Sequence, residues 1–138
     1  MSGGTSYFGR YSKFNREADT ITVAQYGSAG YIAFISEKFW ANDVCYSVLP
    51  SEAINNQFLY CALCSNQNLI YSLTTKAFPD CLPKDKLESI LISFPNLAEQ
   101  QKIGEYFANL DRLIMLHDKK IQKLKSIKTA LLNKAFAK

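Results

Sequence analysis

Apolar residues change period several times along this 138-residue chain, and each change predicts an element. Between Thr20 and Pro50 three runs dense in β-branched and aromatic residues follow one another: Ile21-Thr22-Val23-Ala24-Gln25-Tyr26, Tyr31-Ile32-Ala33-Phe34-Ile35 and Val44-Cys45-Tyr46-Ser47-Val48-Leu49. Gly27-Ser28-Ala29-Gly30 supplies a turn between the first two, so the reading is a hairpin followed by a third strand. From Ser51 to Leu73 the period lengthens. Ile54, Phe58 and Cys61, with Leu59 and Leu63 beside them, fall on adjacent helical stripes, and Ser51 is placed to cap. Thr74-Thr75-Lys76-Ala77-Phe78-Pro79 reads as a loop, and Leu82 to Leu87 as a short turn or helix. Ile90-Leu91-Ile92-Ser93-Phe94 returns to a strand-like pattern before Pro95.

The last third reads as one long helix. Asn96 is a good N-cap, and Glu99, three residues on, can reach back to its N–H as in a capping box. Ile103, Phe107, Leu110, Ile114, Ile121, Leu124, Leu131 and Ala135 then recur at steps of three and four, and His117 and Lys128 interrupt the register. Leu113 and Ile127 broaden this seam. Roughly 40 residues at about 1.5 Å each make a rod of about 60 Å, far longer than a small domain needs for its own core. Such a rod needs a partner. The fold class is therefore α+β, a β-rich domain over residues 1–95 followed by a docking helix over 96–138.

Composition adds less. With 48% hydrophobic and 20% charged residues, the chain is an ordinary globular one. It shows no charged-then-apolar leader and no long apolar run, so neither secretion nor a membrane span is expected and the compartment is read as cytoplasm. Cys45, Cys61, Cys64 and Cys81 are then expected as reduced thiols. The net charge of +4 is uneven: from Leu97 onward there are nine Lys or Arg and four Asp or Glu, whereas residues 1–96 hold seven and eight. The basic excess is densest at Lys119, Lys120, Lys123, Lys125 and Lys128. A run of this kind is usually the solvated face of a helix; the sharper reading is contact with a nucleic-acid backbone.

Enzyme motifs fail when tested. Cys61-x-x-Cys64 is half a zinc site, and a closed site needs four ligands; on a helix the two thiols share a face directed to the core. His117 is the single histidine, with no Ser or Cys nucleophile placed to use it. Asp80, Asp118 and Lys120 imitate the acidic pair and lysine of a metal-dependent nuclease, but Asp118 and Lys120 lie on one helix about 200° apart. Gly27-Ser28-Ala29-Gly30 lacks the helix and lysine of a phosphate loop. No metal, no cofactor and no catalytic residue is expected. What remains is binding: Tyr7-Phe8-Gly9-Arg10-Tyr11-Ser12-Lys13-Phe14-Asn15-Arg16 interleaves aromatic and basic residues suited to phosphates and base edges, and Thr74-Thr75-Lys76 is a second polar loop. The alternative for both is a surface loop with its aromatics tucked inward.

Phe94-Pro95-Asn96-Leu97-Ala98-Glu99-Gln100-Gln101-Lys102-Ile103, with Phe107, Leu110 and Asp111 behind it, resembles the signature with which type I restriction–modification specificity subunits close a DNA target-recognition domain and open a long helix. Ser2-Gly3-Gly4 and the stretch from Ile21 through Tyr31 to Phe39-Trp40-Ala41-Asn42-Asp43 also look like that family's recognition domain. The resemblance implies a half-subunit with one recognition domain and one spacer helix. In the family two such domains sit at opposite ends of an antiparallel helix pair, each reading half of a split site, while partner subunits carry the methyltransferase and nuclease activities. The family's domains begin a few dozen residues ahead of the Ser-Gly-Gly stretch, so this one is expected to lack its first elements. Self-pairing would give two-fold symmetry and a palindromic target.

The expected DNA-facing set is Arg10, Tyr11, Lys13, Asn15, Arg16, Tyr26, Ser28, Lys38, Thr74, Thr75 and Lys76. The expected antiparallel coiled-coil interface is Ile103, Phe107, Leu110, Ile114, His117, Ile121, Leu124, Lys128 and Leu131. With a centre near residue 119, His117 falls close to its symmetry mate and Lys128 near Leu110. The implied partners are double-stranded DNA, a second copy of the chain and a DNA methyltransferase subunit, with the restriction or translocase subunit as a further one. The alternative is a truncated or regulatory fragment that pairs, or binds partner subunits, without reading DNA.

Overall fold

A computed structural model describes residues 12–76 and 78–137. Its sheet is made by the three predicted runs: β1 (Thr20–Ala24), β2 (Ile32–Ile35) and β3 (Cys45–Val48), antiparallel in the order β2-β1-β3. Thr20 stands opposite Ile35 and Val23 opposite Ile32 on one side, and Ile21 opposite Val48 and Ala24 opposite Cys45 on the other. That register sorts the side chains by face, because successive residues of a strand point to opposite sides. Ile21, Val23, Ile32, Phe34, Tyr46 and Val48 share the face packed by helices, together with Leu59, Leu63, Ile70 and Leu82. Ala33, Ile35 and Cys45 share the opposite face, where Phe39 and Ala41 cover them. Covered on both faces, the central strand is buried at all five positions, Thr20 and Thr22 included.

The helical region departs from the expected single Ser51–Leu73 helix in two places. Ser51 does not cap it; residues 51–54 turn, with the Ile54 N–H on the Ser51 carbonyl at 3.0 Å. The cap is Asn55, whose Oδ1 accepts from the Phe58 N–H at 2.9 Å and whose own N–H is held by Gln100 Oε1 at 2.9 Å. A hydrogen bond from 45 residues away in sequence therefore fixes where α1 (Asn56–Ser65) starts. The helix then breaks at Asn66 before α2 (Gln67–Ser72). Ser65 Oγ and Asn66 Nδ2 both donate to the Ala62 carbonyl, side-chain bonds that compete with the helical ladder.

The Lys84–Glu88 segment forms the short helix α3. Ile90 to Phe94 is not a strand. Its alternation is nevertheless real: Ile90 and Ile92 pack on the main core, Phe94 lies against Phe58 with ring centroids 6.0 Å apart, and Leu91 is exposed. A period of two without a neighbouring strand to accept the ladder leaves an extended segment and nothing more.

The helix α4 runs Leu97–Phe136. Asn96 caps it as expected, Oδ1 accepting from the Glu99 N–H at 3.0 Å. The chain divides into two compact units, Met1–Gly104 and Glu105–Lys138. Gln100 and Gly104 are buried in the first. Gln100 Nε2 donates to the carbonyls of Pro95 at 2.9 Å and Ala53 at 3.4 Å, and a Cβ added at Gly104 would stand 2.8 Å from Asn55 Oδ1.

Candidate nucleic-acid interface

The first group of expected DNA-facing residues lies where the chain covers the second face of the sheet. Arg10 and Tyr11 fall outside the described residues. Arg16 and Phe39 pair through their backbones, N–H to carbonyl at 3.1 and 3.2 Å. Asn15 grips Ala41 with both ends of its amide: Nδ2 donates to the Ala41 carbonyl at 2.8 Å, and Oδ1 accepts from the Ala41 N–H at 2.7 Å. Arg16 lays its guanidinium along the chain, Nε donating to Ser47 Oγ at 2.8 Å and Nη1 to the Asn15 carbonyl at 2.9 Å. Lys38 ion-pairs with Glu17 at 2.9 Å and stands 4.4 Å from the centre of the Phe14 ring. Lys13 is exposed. Beneath this cover, burial raises the Cys45 thiol pKa, keeping it a neutral apolar group. Asn15 and Arg16 thus close the sheet face with the donors that recommended them as base readers.

The second group is drawn together by a residue that no motif in the sequence selects. Cys81 bridges Tyr26 on one side and Thr75 on the other. Thr75 donates to the Cys81 carbonyl from its N–H at 2.7 Å and from its hydroxyl at 3.1 Å, and the Leu82 N–H reaches the Gln25 carbonyl at 2.8 Å. The Gly27–Gly30 turn joins the same surface. Gly27 and Gly30 have φ of 75° and 85°, a region glycine enters without penalty. Gln67 Nε2 donates to the Gly30 carbonyl at 2.7 Å, and a Cβ at Gly30 would meet Tyr71 at 3.1 Å and Thr74 at 3.5 Å. Tyr26 and Thr75, distant in sequence, therefore flank Cys81 from its two sides, and the turn that carries Ser28 approaches Thr74 through Gly30. Lys76 lies 4.0 Å from Asp80 and 3.4 Å from Thr74 Oγ1, leaving its ammonium at the surface. Two aromatic residues were missed: Tyr71 is exposed on the α2 side, and Phe78 is fully exposed in the loop. The signal of Phe78 was available, since an apolar ring close to Thr and Lys in a loop has nothing local to pack on; Tyr71, in α2 beside Gly30, gave none.

The second unit, taken by itself, is a single amphipathic helix. Phe107, Leu110, Ile114, Ile121, Leu124 and Leu131 all keep between 37% and 60% of their surface, and His117 and Lys128 are exposed among them. Ile103, the first seam residue, is half-buried within the first unit. Cys45 and Cys81 are free thiols. Among the described residues no group of His, Cys, Asp or Glu could hold a metal ion, and no helix is long and apolar enough to cross a membrane.

The family model for the type I restriction modification DNA specificity domain matches residues 2–126. A solved structure, the crystal structure of a type I restriction-modification system S subunit from M. genitalium, superposes with a TM-score of 0.85 at 26% identity over 99% of this chain. The chain spans 37% of the length of that S subunit. The chain belongs to the type I restriction–modification DNA specificity domain family.

Proposed function

We propose that this chain is a non-catalytic DNA-recognition half-subunit of a type I restriction–modification system, which pairs with a second copy through α4 as an antiparallel coiled coil, reads a split palindromic site and recruits methyltransferase subunits. The observation that carries the reading is the seam of the second unit. Six large apolar side chains recur at steps of three, four and seven over Phe107–Leu131, with His117 and Lys128 at the two intervening positions, and keep a third to three fifths of their surface. A helix stripe of that width needs a facing helix, and a copy of itself meets the requirement with two-fold symmetry. In this reading residues 1–95 recognise DNA, with the Tyr26, Ser28 and Thr74–Lys76 surface the best presented part, and residues 96–138 set the distance between half-sites.

The chain is expected to elute as a dimer by light scattering, and Leu110→Glu with Leu124→Glu should yield a monomer. A dimer that survives both substitutions sinks the seam assignment. Co-expression with a methyltransferase subunit, followed by mapping of methylated bases in host DNA, should return a bipartite palindromic motif. The second reading, a fragment that pairs without reading DNA, draws on the internal engagement of Asn15, Arg16 and Lys38. Intact dimers whose binding to random-sequence duplex stays at background in low salt would favour it.

A further inference from the structure

The face of the second unit opposite the seam carries its own pattern. At about 100° per residue, Arg112, Lys119, Lys123 and Lys134 fall within about 60° of one another, roughly 150° from the centre of the seam. The arc they share between Arg112 and Lys134 holds otherwise only Leu116 and Ala130, with no acidic residue. Asp111 and Asp118 stand outside it, about 80° to 100° beyond its edge. All four cations are exposed, and none takes part in an ion pair among the described residues, where the pairs are those of Lys38, Lys76 and Lys84.

Resting on the DNA-recognition reading above, we infer that this basic ridge is a second DNA contact, which follows the phosphate backbone of the duplex between the half-sites independently of sequence. Length and charge both support it. From Arg112 to Lys134 the helix rises about 33 Å, close to one turn of B-DNA. Duplex DNA carries one negative charge per about 1.7 Å of axis, so single-sign cations spread along such a rod face phosphates along its whole length. Bulky apolar residues do flank the cations, Leu116 on the ridge and Ile127 and Met115 about 20° to 40° beyond its edges, all exposed, so a protein partner is the competing occupant and the test below separates it from DNA. Exposed Lys and Arg heads reach phosphates without side-chain reordering inside a core.

The test uses the full chain and a random-sequence duplex of about 40 base pairs, following the binding constant against salt concentration. Replacing Arg112, Lys119, Lys123 and Lys134 together with Gln should lower the slope of log K against log salt by about three to four units, at about 0.9 for each phosphate no longer neutralised. Between about 50 and 200 mM salt the wild-type chain should then lose about a hundredfold more affinity than the variant. Lys119→Gln alone should lower the slope by about one unit, and Lys125→Gln, off the ridge, should leave it unchanged. Circular dichroism and light scattering check that helix content and assembly are kept. An unchanged slope in the fourfold variant, with wild-type binding intact, overturns the inference and leaves the DNA-recognition reading standing. Equal losses for Lys125→Gln and Lys119→Gln also overturn it, in favour of diffuse charge. A fourfold variant that keeps its slope but fails to capture a methyltransferase subunit assigns the ridge to protein instead. Absence of wild-type binding at every salt concentration removes both readings together.

Discussion

The two units use the same residue types for opposite ends. In the first, Ile21, Val23, Ile70 and Leu82 have no accessible surface, and they are held between a sheet and helices drawn from distant parts of the sequence. In the second, Leu110, Ile114, Leu124 and Leu131 keep from 37% to 60% of theirs. An apolar side chain inside the first unit holds up that unit's own fold; one on the second is available to an association. Isolated helices are marginal in water, and most helical stability comes from packing of the apolar face. The second unit is therefore expected to gain stability from a partner, as proposed above, in a way that the first is not.

A pair of truncations tests this division most strongly. Ile70→Ala should destabilise the first unit by about 2–5 kcal/mol, the cost of a missing side chain plus the cavity it leaves. Urea unfolding followed by the fluorescence of Trp40, which lies in the first unit, reads it out. Leu124→Ala should leave that unfolding curve within about 0.5 kcal/mol at concentrations where the chain is monomeric, and instead weaken dimers in light scattering. Equal destabilisation by both substitutions would show that the seam is part of the first unit's core.

A second test addresses the first two turns of α4, which belong to the first unit. Gln100→Ala removes the acceptor for the Asn55 N–H and the donor to Pro95 and Ala53. Leaving such groups buried without partners costs about 1–3 kcal/mol, against almost nothing for the exposed neighbour Gln101→Ala. Gly104→Ala should also destabilise, by about 1 kcal/mol: alanine favours the helix by about that much, but its Cβ would press on Asn55 Oδ1 at 2.8 Å and on the Phe58 backbone at 3.1 Å, disturbing the cap of α1. Urea midpoints separate these outcomes.

How far the fold was legible follows from range. The three strands and the Asn96 cap were read correctly because β-branched runs, a Gly-flanked turn and a capping residue act over a few positions. The cap of α1 lies at Asn55 rather than Ser51, where the Asn55 side chain caps Phe58 and the Asn55 N–H is satisfied by Gln100, a partner 45 residues away that a local reading does not see. Ile90–Phe94 was misread because alternation reports burial on one side and says nothing of a ladder partner. The candidate surface was legible in pieces, Tyr26 with Ser28 and Thr74 with Lys76. The link between Tyr26 and Thr75 was not, because it is made by backbone pairing of both to Cys81, which no side-chain pattern encodes.

The same limit governs Arg16, and yields the smallest and most discriminating test. A basic residue among aromatics in a family that recognises DNA suggests a base reader, and Arg16→Ala would then cost about 1–3 kcal/mol of binding at one base pair, with relaxed specificity there. The geometry instead commits Nε to Ser47 Oγ at 2.8 Å, over the covered face of the sheet. Ser47→Ala should accordingly cost about 0.5–1.5 kcal/mol of fold stability, Arg16→Ala at least as much because it also loses the bond to the Asn15 carbonyl, and the double substitution little more than Arg16→Ala alone. Binding to duplex DNA should hardly change in Ser47→Ala. A loss of sequence discrimination in Arg16→Ala without a matching stability loss in Ser47→Ala would move Arg16 from the support of the sheet to the reading of DNA. The DNA-facing surface would then extend from the Cys81 bridge to the residues over the second sheet face.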